Sequence, residues 1–100
     1  KNNLNVAMLS KKIFKIRNKL DKIDNKLLLL IKSRGKLVDL VLKEKLYKKE
    51  IVDNKRIKLI LKNIKRKSLD KNIDPVITLK IWKAMISAFI DYEYRNFKKK

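Results

Sequence analysis

Ile13, Ile16, Leu20, Ile23, Leu27, Leu30, Leu37 and Val41 recur at alternating steps of three and four residues, with one gap between Leu30 and Leu37. Such spacing is a heptad seam, and it predicts a helix from about Ser10 to about Lys49. Gly35 falls inside this helix and costs about 1 kcal/mol relative to alanine, too little to break it. About 40 helical residues at about 1.5 Å each form a rod of roughly 60 Å, whereas a compact chain of this length has a radius of gyration of about 13 Å. A chain of 100 residues cannot cover the seam of that rod by itself. The expected architecture is therefore all-α, an intertwined homodimeric helical bundle with a very long first helix in each chain.

The rest of the chain also reads as helix. One glycine and one proline leave little turn chemistry for a sheet. A second helix is expected over roughly Asp53 to Arg66, with Ile57, Ile60, Leu61 and Ile64 on one face. Lys67 to Ile73 carries Ser, Asp and Asn and reads as a linker. Asp74-Pro75 pairs an N-cap with a first-turn proline and opens a third helix to about Phe97. Its inner face is expected to hold Ile77, Ile81, Ala84, Met85, Ala88 and Tyr92. In this reading residues 1–9 are a disordered or frayed N-terminus, residues 10–97 are a single domain and residues 98–100 are a basic tail.

The formal net charge of +19 raises nucleic acid and anionic membranes as partners. Most of the 29 basic residues, however, are lysines spread along the whole chain, a pattern that fits a solvated surface. The chain has neither a convincing helix-turn-helix turn nor an aromatic stacking surface, so nucleic acid is not the expected partner. The apolar run Leu27 to Ile31 is far shorter than the roughly 20 residues that span a bilayer. The N-terminus lacks a signal-peptide core, and the expected location is the cytoplasm. With no histidine and no cysteine, thiolate zinc sites and His-dependent triads are excluded.

Against that lysine background the arginines carry more information. Arg34 stands in the seam between Leu30 and Leu37, where a charge is costly unless paired. It fits either a ligand-binding cation or a polar residue that fixes helix register. Lys45 lies eleven residues on, about 20° beyond three full turns and about 16 Å along the axis, so the two cations face one region. Arg17 is about 100° around the helix from Arg34, unsuited to the same pocket but placed to reach a partner across a dimer seam.

At these residues the chain resembles the all-helical class of chorismate mutase, over about Ile13 to Phe97. The resemblance rests on I-R-N-K-L-D-K-I-D-N-K-L-L-L-L-I-K-S-R from Ile16, on Lys45, on D-N-K-R from Asp53 and on I-W-K-A-M-I-S-A from Ile81. It implies three helices per subunit in an interlocked dimer, chorismate as substrate and prephenate as product, within aromatic amino-acid biosynthesis. Arg34, Lys45 and Arg56 would bind substrate within one subunit, Arg17 would enter from the other, and Asp53 would lie beside the ring hydroxyl. Asp53 equally suits a helix N-cap. The reaction is an intramolecular pericyclic rearrangement, so no cofactor or metal is expected. Its demands are a held conformer and positive charge at the breaking ether bond.

Two positions depart from the family pattern and a third is tuned. Ile57 stands where many mutases have a glutamate; an aliphatic there resembles the isochorismate-pyruvate lyase branch of the same fold, and lyase activity stays open as an alternative. Phe89 falls where many members have a serine near a substrate carboxylate. Glu93 falls where many members place a glutamine that donates to the ether oxygen and some use glutamate. Trp82, Ile86, Phe89 and Glu93 share a helical stripe, so the carboxyl ends an apolar run where desolvation favours its neutral form. Activity is then expected to decline as pH rises. A shifted register would put Ser87 and Asp91 in these roles instead.

Overall fold

The computed structural model describes residues 3–99 and contains three α-helices joined by short connections. Helix α1 spans Asn3–Glu44, α2 spans Asn54–Asp70 and α3 spans Pro75–Asn96. A single 3₁₀ turn, Lys48–Glu50, lies between α1 and α2. Among the described residues there is no strand, and no helix is long and apolar enough to cross a membrane. The chain divides into two units between Lys36 and Leu37, so the first unit is a length of α1 and the second holds the end of α1 with α2 and α3.

In the first unit helix begins earlier than the heptad indicated, at Asn3, and Val6 and Leu9 continue the apolar spacing toward the N-terminus. Lys1 and Asn2 of the expected frayed segment lie outside the described residues, as does Lys100 of the basic tail. The seam faces outward along the whole unit: Leu20 is 52% exposed, Leu27 50% and Leu30 65%.

In the second unit α1 stops at Glu44, short of the expected Lys49. No glycine or proline marks that end. The Lys45 amide instead closes a tight turn onto the Leu42 carbonyl (3.1 Å), and the Glu50 carboxylate accepts from the amides of Leu46 (2.7 Å) and Tyr47 (3.3 Å). These bonds satisfy backbone groups that continued helix would have satisfied. The Lys99 ammonium donates to the Lys43 carbonyl, a cation at a helix C-terminus. Burial of Leu42 and of Ile51, only 3% exposed, anchors the connection on both sides.

Asp53 caps α2 by accepting from the Arg56 amide at 3.0 Å, and Asp74 caps α3 by accepting from the Val76 amide at 2.9 Å. Helix α2 runs on to Asp70 through residues expected as linker. Ser68, 4% exposed, explains the extension: its hydroxyl donates to the Ile64 carbonyl (2.6 Å) and also meets the Thr78 hydroxyl of α3 (2.7 Å). The helix ends where Asn72 takes φ 58°, with Ile73 donating to Ser68 and Asn72 to Leu69 in a Schellman arrangement.

Helices α2 and α3 pack as a hairpin. Ile57, Ile60, Leu61 and Ile64 are half-buried, as expected. On α3 the covered face differs from the expected one. Thr78, Leu79, Trp82, Phe89 and Ile90 are half-buried and Ile86 is buried, whereas Ile77, Ile81, Ala84 and Ala88 are exposed; only Met85 and Tyr92 of the expected set are half-buried. Apolar residues lie nearly all around α3, so periodicity could not single out the face that α2 covers.

Candidate functional site

The end of α1 and the last turns of α3 bring two of the anticipated site residues together. Lys45 comes directly after α1, and its ammonium donates to the Glu93 carboxylate of α3 at 2.7 Å. Both side chains are largely covered, at 17% and 9% exposure. Expected burial of Glu93 at the end of the Trp82, Ile86, Phe89 stripe is therefore observed. Its charge partner is a feature that the amino-acid pattern alone did not supply. An ammonium and a carboxylate held this close and this dry form a stronger contact than a solvent-exposed pair. A doubly anionic ligand approaching Lys45 meets that carboxylate beside it.

Arg56 occupies the first turn of α2 with an exposed side chain, next to the cap that Asp53 forms. The expected cap role of Asp53 is thus filled, and its carboxylate is held at the start of α2. Arg34 is half-buried on α1 and takes part in further interactions. Arg17 is exposed on α1, beside an open hollow of 250 Å³ that it lines with Ser10, Ile13 and Phe14. Phe89 packs edge-on against Tyr92, with ring centroids 6.5 Å apart and planes at 82°.

Ser87 and Asp91, the residues of the shifted register, line an open groove of 190 Å³ between α2 and α3 together with Ile57, Leu61, Lys83, Ile86 and Ile90. Neither Lys45 nor Glu93 lines it. Ile57 lies among aliphatic neighbours there.

Two residues that the sequence pattern did not single out for the site, Tyr92 and Asp39, form a second tie between α1 and α3. The Tyr92 hydroxyl donates to Asp39 of α1 at 2.6 Å. That hydrogen bond raises the Tyr92 phenol above its ordinary pKa, desolvation and the Asp39 charge add to the rise, and the charge of Arg95 opposes it. The Arg95 guanidinium lies 5.9 Å from the centre of the Tyr92 ring. The available signal was Asp39 itself, an acid one turn beyond the Gly35 step in a chain rich in lysine.

Comparison with known families gives a match to the family described as chorismate mutase type II over residues 16–94. Those residues include Arg17, Arg34, Lys45, Asp53, Arg56, Phe89 and Glu93. Neither the curated proteins nor the solved structures compared with the chain give a match.

Proposed function

The chain belongs to the chorismate mutase type II family, an enzyme family of intramolecular transferases, and from that premise we propose that its rearrangement of chorismate to prephenate takes place in a site shared by two interlocked copies. The Lys45–Glu93 pair, largely covered within one chain, is the observation that supports a site at the end of α1 and the last turns of α3. The reaction breaks an ether C–O bond and forms a C–C bond within one molecule. The protein therefore has to select the folded conformer and stabilise the charge that collects on the ether oxygen. Lys45 supplies a compact charge to that oxygen, and Arg34, with Arg17 of a second copy, grips the two carboxylates by paired hydrogen bonds. Arg56 and Asp53 bound the site at the start of α2, Asp53 toward the ring hydroxyl, and Phe89 packs on its apolar wall.

Glu93 stands beside Lys45, its carboxylate held on the ammonium at 2.7 Å, and the pair flanks the place of the ether oxygen.

The exposed seam supports the two-copy reading. The described chain exposes 8907 Å², whereas a folded monomer of 12.0 kDa is expected to expose about 6000 Å². An excess of roughly 2900 Å² per chain, about 5800 Å² for two, lies at the upper end of what permanent dimer interfaces bury in total. Residues 10–97 are read as one such domain, working in the cytoplasm within aromatic amino-acid biosynthesis.

The test is incubation of the purified chain with chorismate and, separately, with isochorismate. Prephenate from chorismate is expected for the wild type, with loss of about a hundredfold or more for Arg34→Ala. Equal rates for the two proteins would remove the proposed site, and salicylate plus pyruvate from isochorismate would assign the chain to lyase chemistry.

A further inference from the structure

Lys45 stands one residue beyond the last turn of α1, so helical hydrogen bonding does not fix its direction. Its own amide closes onto Leu42, and the connection after it is held by Glu50. The placement of its ammonium therefore depends on how the end of α1 is tied to α3. Among the described residues, polar ties join this end of α1 to α3 and the residues just past it, namely Asp39 to Tyr92, Lys45 to Glu93, and the Lys43 carbonyl to Lys99. The first two land on adjacent residues of α3.

From this juxtaposition, and resting on the site assignment above, we infer that Tyr92 and Asp39 are positioning residues for the rearrangement: their hydrogen bond fixes the register of α1 against α3 and thereby aims Lys45 and Glu93. The Tyr92–Asp39 bond is short at 2.6 Å and has a carboxylate acceptor, the stronger class of side-chain hydrogen bond. The ring is held independently of the hydroxyl, edge-on by Phe89 and under the Arg95 guanidinium. Removing the hydroxyl alone therefore leaves the ring packed while freeing α1 to slide or rotate. A tie of this kind acts on geometry in the transition state, where a misplacement of about 1 Å is costly, more than on capture of the substrate. Glu93, next to Tyr92 on α3, moves with the same tie.

Tyr92→Phe, Asp39→Val and Asp39→Asn are to be compared with the wild type and Lys45→Ala in the chorismate assay. Tyr92→Phe and Asp39→Val are each expected to lower kcat about tenfold with KM within about twofold. Asp39→Asn, which keeps a carbonyl acceptor for the phenol, should retain most of kcat. The double variant Tyr92→Phe/Asp39→Val should be no worse than either single one, because both break the same bond. If Asp39→Val fails to fold, Tyr92→Phe decides. An unchanged kcat in Tyr92→Phe overturns the inference, as does a loss that Asp39→Asn shares in full. An inactive wild type overturns the site assignment with it, whereas an active wild type, a dead Lys45→Ala and a normal Tyr92→Phe overturn this inference alone.

Discussion

At the scale of the residue, the Lys45–Glu93 pair at 2.7 Å joins groups far apart in the chain, and its two halves differ in what they contribute. In the proposed site Lys45 serves a charge that develops only in the transition state, so Lys45→Ala should lower kcat about a hundredfold or more. Glu93 holds that ammonium in place through a 2.7 Å hydrogen bond. Both residues are site candidates from the family pattern. Their contact was not, because Lys45 lies past the end of a helix whose stop has no glycine or proline to announce it. The Tyr92–Asp39 bond escaped for a related reason: a phenol on a helix that is apolar nearly all around reads as core until its acceptor is known.

Among the elements, the caps separate stability from chemistry. Asp74 caps α3 and has no part in the proposed site, so Asp74→Ala should cost about 1 kcal/mol, seen as a melting temperature lower by about 4–8 °C. Its kcat/KM should stay at the wild-type value. Asp53 caps α2 in the same way but borders the site. Asp53→Ala should show a similar thermal loss and a lower kcat/KM as well, and thermal melts beside rate measurements distinguish the two. The Asp-Pro start of α3 could be read because cap and proline are adjacent in sequence. The end of α2 could not, since Ser68 looks like linker until the Ile64 carbonyl and the Thr78 hydroxyl are placed around it. The inner face of α3 was misread because its apolar residues far outnumber what α2 covers. The surplus, Ile77, Ile81, Ala84 and Ala88, remains exposed like the seam of α1.

For the whole molecule, two apolar surfaces without cover in one chain are the basis of the two-copy reading. Leu20→Glu and Leu27→Glu place like charges in the seam. If two copies pair through the seam as proposed, each should give a largely unfolded monomer in sedimentation and lose activity with it, because a chain of this size buries little on its own. The long first helix and its exposed seam were legible from the heptad spacing, a periodic property of one helix. Whether Arg17 reaches into a partner's site, as proposed, depends on the assembly itself. Mixing two inactive variants measures that reach. Arg34→Ala and Arg17→Ala, unfolded together and refolded, form mixed dimers in which one site is built entirely from intact residues and the other lacks both arginines. With random pairing, half the dimers are mixed and half their sites are whole, so about a quarter of wild-type mutase activity should return. A mixture no more active than the average of the two variants refolded separately would contradict a site shared between two copies.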